Sequence, residues 1–330
     1  VSTVKPPPTP TMPALAAALP RVEDEIRTLA TSSSLPVVNT FTGRITAAGG
    51  KRLRSVLVLA GSLAVSGAVP DKAVTAAACV ELLHAGSLVH DDLMDGASER
   101  RGVRTVNADW GTGPAVLVGD FLLARASQAA LERISPFAAG RLAQAVADLV
   151  EGQVLEVLDQ HDPDRDPDAA LRSIALKTGA LFEVAGVLAA HCADADEATT
   201  AALGRYGALF GLLFQILDDL LDLASTSQRL GKPVGNDLRQ GVYTFPLLRA
   251  LDDDRRDLLR RRGRELSDAE IAALLADLRR TSMVADTLAH CTSLAARAVR
   301  ELPGSPGSEA LDILRELPGA YLDWAASQIA

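Results

Sequence analysis

HAGSLVHDDLMD, residues 84–95, and GLLFQILDDLLD, residues 211–222, decide the reading of this chain. Each ends an apolar, helix-like run in an Asp-Asp-x-x-Asp cluster. On a helix, residues three and four apart share a face, with about 5–6 Å between Cβ atoms. Asp91 and Asp95 therefore point one way, as do Asp218 and Asp222, with Asp92 and Asp219 close by. Two carboxylates about 4 Å apart repel by about 4 kcal/mol at an effective dielectric of about 20. A divalent cation offsets that repulsion, and oxygen-only ligands select a hard ion such as Mg²⁺. Magnesium is usually held by one or two carboxylates plus substrate phosphates. Two clusters facing one cavity would clamp a diphosphate between them. A solvated acidic face is the plainer reading of either cluster alone. Two copies, each midway in apolar sequence, argue against it.

The rest of the chain supplies a helical frame. Of its 330 residues, 48% are hydrophobic, mostly Ala, Leu and Val, and only 4% are aromatic. Strong helix formers dominate and strand-like runs are scarce, so an all-α protein is expected. Length alone suggests two domains, but no linker divides two cores. We expect a flexible tail over residues 1–13, VSTVKPPPTPTMP, and one helical domain over 14–330. The tail has no apolar signal core. Ser55 to Pro70, the most apolar long uncharged stretch, falls short of the roughly 20 residues a spanning helix needs. It reads as a core helix, and no transmembrane segment is expected. A net charge of −9 argues against general nucleic-acid binding. Cys79, Cys192 and Cys291 are distant and odd in number, which fits packed thiols in a reducing cytoplasm.

The segments between are read as follows. Ala14–Ala30 is helical with a break or restart at Pro20, and a loop with Pro36 and Gly43 follows. GGKRLRS, residues 49–55, opens the next helix. Asp71 starts the helix that carries the first cluster. ASERRGVRTVNADWG is a loop. Arg141–Leu158 is helix, DQHDPDRDPD a charged loop in which Asp168 caps the next helix, and Ala201–Ala224 carries the second cluster. Ser225–Tyr243 is loop.

Basic and polar residues surround the clusters. Lys51 and Arg54 are three apart, on one helical face at a Gly-rich start, which suits an anion. Arg100 and Arg101 follow the first cluster and suit phosphate oxygens. His84 lies two turns before Asp91. Lys177 and Thr178 sit in the apolar run IALKTGALFEV, where a lysine must find an anion or reach solvent. Gln215 is one turn before Asp219. Lys232 lies in GKPVGNDLRQG. Taken singly, each has a bland reading: solvated turn, local ion pair or core hydrogen bond.

Together these pieces resemble the all-trans isoprenyl diphosphate synthases, or polyprenyl synthetases. The markers are GGKRLR, LLHAGSLVHDDLMD, RRG, GDFLLARA, the KT pair, FQILDDLLD and GKPVGNDLRQG, from about Gly49 to Pro246. The resemblance implies a helical bundle around a deep central cavity, usually a homodimer. It implies that Asp91 and Asp95 bind two Mg²⁺ ions and Asp218 a third, with Asp92, Asp219 and Asp222 in support. Lys51, Arg54, His84 and Arg101 would bind isopentenyl diphosphate. Arg100, Lys177 and Lys232 would bind the allylic diphosphate, and Thr178 and Gln215 would face the reacting carbons. Two departures stand out: Ser55 where the family usually has Pro, and Val242 where many members have Lys.

In members making short products, a bulky aromatic often stands one to two turns before the first cluster. Here Gly86 and Ser87 are small, Gly86 about 7.5 Å before Asp91 along a helix. With Leu83 as a deeper wall, followed by Leu82 and Cys79, and Phe121 as a floor, the expected product is of geranylgeranyl size or longer. A class I terpene cyclase normally carries Asn or Asp, Ser or Thr, and Glu in its second motif, unlike DDLLD. A non-catalytic subunit of a heteromeric synthase would be expected to have lost aspartates, and both clusters are intact.

Overall fold

The structure, a computed structural model, describes residues 12–47, 49–100, 102–230, 233–304 and 308–329. Only Met12 and Pro13 of the expected tail fall within them, and Pro13 already belongs to the first helix. The chain is all-α, as its composition leads one to expect. Among the described residues the only strands are Glu99–Arg100 and Val103–Arg104, a two-stranded hairpin.

The first helices are α1 Pro13–Ala30, α2 Pro36–Ala47, α3 Leu53–Ser66, α4 Asp71–Met94, α5 Val106–Trp110, α6 Thr112–Arg133 and α7 Pro136–Leu158. After them come α8 Pro167–Ile174, a π-helical turn Ala175–Gly179, α9 Ala180–Cys192 and α10 Glu197–Ala224. The remainder is α11 Ser227–Leu230, α12 Asn236–Gln240, α13 Phe245–Ala250, α14 Asp253–Arg262, α15 Asp268–Leu278, α16 Met283–Glu301 and α17 Glu309–Ser327. One contiguous apolar core runs from Leu15 of α1 to Ala325 of α17. The most extensive packing lies between α4 and α6 and between α9 and α10.

That packing depends on small residues. A Cβ on Gly186 of α9 would lie 2.0 Å from Leu203 O, and one on Gly207 of α10 2.1 Å from Phe182 O. Glycine at both positions lets the two backbones meet. Helices α4 and Pro167–Cys192 are long and apolar enough to cross a membrane, but 78% of each apolar window is buried inside the protein. They are core helices; both surpass Ser55–Pro70 as candidates.

Several local readings change. Pro20 neither breaks nor restarts α1, because it sits on the exposed side and the buried stripe Leu15, Ala18, Val22, Ile26 holds the helix. Such a proline removes one ladder bond, which packing here outweighs. Pro36 opens α2 instead of marking a loop, and the polar ASERRGVRTVNADWG forms the hairpin and α5. Thr105 caps α5, and Asp166, not Asp168, caps α8 by accepting from Asp168 N at 3.0 Å. The charged α14, capped by Asp252, carries too few apolar residues to be seen by periodicity.

Candidate active site

Helices α4 and α10 bring the two aspartate clusters to one cavity of about 370 Å³. Its walls include Asp91, Asp95, Asp218 and Asp219, with Arg54, His84, Arg100, Lys177, Thr178 and Gln215. Of the candidates from sequence, Arg101 and Lys232 lie outside the described residues.

The site gathers buried carboxylates whose charge the nearby cations offset only in part. Burial raises the Asp91 carboxyl above the ordinary range; Asp95 adds to this, while Lys177 and Arg100 oppose it. Burial, with Glu156, raises Asp95 too. Asp219 is pushed up by burial and by Asp218, Glu156 and Asp222, against its hydrogen bond from Gln215. This acid-rich oxygen donor set fits a hard divalent ion. Among the described residues no three His, Cys, Asp or Glu side chains converge on one point to hold a metal. An ion between the clusters therefore needs water or phosphate oxygens as its remaining ligands.

Two carboxylates expected in support, Asp92 and Asp222, are engaged in hydrogen bonds. Asp92 is buried and accepts from Arg100 Nε at 2.6 Å. Asp222 accepts from Asp237 N through Oδ2 at 3.2 Å, and from Gly235 N through its carbonyl at 2.8 Å. It thus ties the segment after the second cluster to α10.

Lys177 and Thr178 occupy the π-helical turn, where one extra residue redirects side chains. Lys177 Nζ donates to Glu156 Oε1 at 2.6 Å. Burial alone would lower the lysine pKa, but Glu156, Asp91 and Asp95 more than offset this and hold the ammonium above its ordinary value. Thr178 Oγ1 donates to Gln215 Oε1 at 3.0 Å, and Gln215 Nε2 donates to Asp219 Oδ1 at 2.8 Å. The amide orientation follows from this network. The turn is seated on α7 through Gly152, whose added Cβ would stand 2.4 Å from Lys177 N. Gly152→Ala is expected to displace the turn, lower stability by about 1–3 kcal/mol and depress kcat. Chemical denaturation and steady-state rates on one preparation check this.

Lys51 and Arg54 do not share a helical face. Arg52 adopts a left-handed φ of 51°, so α3 begins only at Leu53. The turn is held by Arg52 Nε and Nη2 on Glu23, at 2.6 and 2.9 Å, and Nη1 on buried Glu81 at 3.0 Å. Arg54 lies over Phe182, 4.3 Å from the ring centre, and lines the cavity. Lys51 lies over Trp324 at 4.5 Å, Tyr321 at 5.2 Å and Phe214 at 5.6 Å, with Nζ 3.3 Å from Tyr321 Oη. It is not among the cavity's lining residues, but Phe214 is.

A second, apolar cavity of about 500 Å³ adjoins the first and shares the walls Ser87, Asp91, Leu149, Gln153 and Leu181 with it. Leu83 and Ser87 line it, with Leu123, Val146, Val150 and Val154. Gly86 and Phe121 do not. Gly86 faces α6, where its Cβ would meet Gly119 O and Leu123 at 3.1 Å. The angular step of 100° per residue separates Gly86 from Ser87, so only one of them faces the cavity.

Glu156, Gln153, Arg165 and Thr244 also line the first cavity and escaped the sequence reading. Glu156 had a signal: an acid inside VLEVL raises the same question as Lys177 inside its apolar run. Arg165 had none, because HDPDRDP reads as a solvated loop.

The polyprenyl synthetase family model matches residues 36–278, most of the chain. The chain belongs to the polyprenyl synthetase family. These all-trans isoprenyl diphosphate synthases are prenyltransferases, and so is this chain. It is 37% identical to heptaprenyl diphosphate synthase component 2 of Geobacillus stearothermophilus, over 82% of this chain and 84% of that one. It is 38% identical to nonaprenyl diphosphate synthase of Mycobacterium tuberculosis strain ATCC 25618 / H37Rv, covering 81% and 82%. The solved polyprenyl synthase of Caulobacter crescentus CB15, complexed with calcium and isoprenyl diphosphate, superposes with a TM-score of 0.86 at 31% identity. It covers 98% of this chain and 100% of that one. As a polyprenyl synthetase, the chain elongates all-trans prenyl chains.

Proposed function

We propose that this polyprenyl synthetase joins isopentenyl diphosphate to an allylic diphosphate by Mg²⁺-dependent 1'-4 condensation, giving a product of geranylgeranyl size or longer. The observation that carries this reading is the pair of carboxylate clusters facing one cavity that shares its wall with an apolar one. The hepta- and nonaprenyl names of the relatives agree with the long product. One functional unit over residues 14–330 is part of the proposal.

Asp91, Asp95 and Asp218 would hold the ions, three with substrate bound. When bound, Mg²⁺ supplies positive charge that offsets what grows on the departing diphosphate. Lys177 and Arg100 add to this from the protein side, as would Lys232. Arg54 and His84, on the cavity wall, hold isopentenyl diphosphate so that its double bond meets the allylic carbon, as would Arg101, and as would Lys51 on leaving its aromatic rings. The oxygens of Thr178 and Gln215 lie on the cavity wall and stabilise the allylic cation. The released diphosphate takes the proton whose loss restores the double bond. Leu83 and Ser87 border the growing chain.

The test is product analysis of purified protein given isopentenyl diphosphate with dimethylallyl, geranyl, farnesyl or geranylgeranyl diphosphate. Polyprenyl diphosphates are expected; hydrocarbon from geranylgeranyl diphosphate alone would make it a terpene cyclase, and mainly farnesyl diphosphate would sink the length assignment.

We place the enzyme as a cytoplasmic homodimer. Val116, Leu117, Val150, Val154, Val157 and Leu158 of α6 and α7 stay exposed, an apolar face suited to a second copy. The three cysteines are free and buried, and burial pushes their thiols up to about 12. Light scattering and single-chain activity test the assembly; an inactive chain that needs another protein would mean a heteromeric synthase.

Metal binding should depend on pH. Raised carboxylate pKa values at Asp91, Asp95 and Asp219 mean that the folded chain binds more protons than the unfolded chain between about pH 4 and the raised folded values. Their contribution to stability therefore falls as pH rises from there. Mg²⁺ with inorganic diphosphate brings positive charge that favours the ionised carboxylates, and burial pushes Asp219 up to about 8, so the thermal stabilisation should be larger at pH 8 than at pH 6. Melting curves at both values check the sign.

A further inference from the structure

Arg165 lies in the connection between α7 and α8, and nothing above gives it a role. Its side chain is 5% exposed, yet it lines the diphosphate cavity with Asp91, Asp95, Lys177, Val242 and Thr244. Its Nε stands 2.8 Å from Asp159 Oδ2, but the angle is poor: neither Nε nor Nη2 makes a hydrogen bond, though both are buried. Buried cationic donors without acceptors are costly. Thr244 Oγ1, on the same cavity wall, is also buried and without a partner.

These groups line the same cavity as Val242, and the two segments that carry them are fastened together. His161 N donates to Gly241 O at 2.8 Å, and the imidazole occupies the space a Gly241 side chain would need, 2.3 Å from its Cβ position. The His161 ring also meets Tyr243 edge-on at 6.5 Å. Arg256 Nη1 donates to Pro163 O, closing the loop from the other side. So the loop that carries Arg165 and the turn Gly241–Thr244 form one wall. Val242 offers that wall no charge; Arg165 does.

We infer that Arg165 is a diphosphate-binding residue, supplying from the α7–α8 loop the cation that position 242 lacks, with Thr244 as a neutral donor beside it. A guanidinium suits phosphate oxygens through paired N–H donors. The bound group is the allylic diphosphate and the inorganic diphosphate it releases. Arg165 stands by the turn that follows the second cluster, whereas Arg54 and His84 come from α3 and α4. The inference rests on the prenyl-transfer reading of this cavity.

The experiment compares the native chain with Arg165→Met, Val242→Lys and the double variant. Calorimetry with inorganic diphosphate and Mg²⁺ is expected to show about 10–100-fold weaker binding for R165M. The KM for the allylic substrate should rise in parallel, while that for isopentenyl diphosphate stays within about twofold. Val242→Lys should restore most of the loss in the R165M background and add little to the native chain. Unchanged diphosphate affinity in folded R165M overturns the inference. So does an equal rise in both KM values with a lower melting temperature and no rescue, which makes Arg165 a strut for Asp159. If R165M does not fold, V242K alone decides: a large gain in diphosphate affinity means no cation was acting there, and overturns it. A native chain that binds diphosphate but condenses no primer refutes the prenyl-transfer reading instead, and the calorimetric comparison still judges Arg165.

Discussion

Asp91→Asn loses about 10²–10³-fold or more in kcat while its melting temperature in metal-free buffer stays level or rises. The size follows from what removing one preorganised charge-stabilising group costs in other enzymes. The stability sign follows from the site. Asp91 is held above its ordinary pKa by burial and by Asp95, so its charge is a burden to the metal-free fold. The amide keeps the shape, drops the charge and relieves the repulsion. Function and stability then move in opposite directions, as they do where an active site stores unfavourable electrostatics. Steady-state rates and melting curves on one preparation are the check. A proportionate loss of both would make Asp91 a structural residue. The added stabilisation by Mg²⁺ and diphosphate should vanish in the variant, which separates a metal ligand from a general acidic face.

Ser87→Phe is expected to shorten the main product sharply, to about farnesyl size. Ser87 is four residues, roughly 6 Å, before Asp91 on α4, and it borders both the polar and the apolar cavity. A benzyl group there would fill the shared wall region that a second or third added unit must pass to reach the apolar cavity. Gly86→Phe, one residue away, has a different fate. It drives a ring into Gly119 O and Leu123, already 3.1 Å from a bare Cβ, so poor folding is expected rather than a shorter chain. Chromatography of the dephosphorylated products, with thermal melts, tells the two apart. Should G86F fold well and shorten the product while S87F does neither, the assignment of the wall is wrong.

Both sites show why sequence reading reached some residues and missed others. The aspartate clusters, Lys177 and Gln215 were legible because charge or amide inside an apolar helical run has few explanations. Asp91, Asp95, Asp218, Asp219, Lys177 and Gln215 then lay on the cavity wall. Lys51 and Arg54 were legible as residues but not as a pair. Spacing predicts one helical face only if the backbone is helical. Arg52 takes a left-handed turn because Glu23 and Glu81, distant in sequence, hold its guanidinium. Gly86 and Ser87 were taken together because both are small. Which one faces the cavity depends on the rotation of α4 against α6, set by the contact of Gly86 with Gly119 and Leu123.

What the sequence determined by itself was the helical class, the two oxygen-donor clusters and their chemistry. All of these are written in local pattern: helix formers, periodic apolar residues, and carboxylates at a spacing that forces them together. What only the tertiary structure decided was how separate segments meet. It joined the clusters across one cavity, bent Thr178 through Gln215 to Asp219, and set Lys51 among three aromatic rings. It also turned Arg165 from a loop residue into a wall residue of the cavity that Val242 lines. The physical reason is that local spacing fixes the direction of a side chain on its own helix, whereas its surroundings depend on which helix packs opposite.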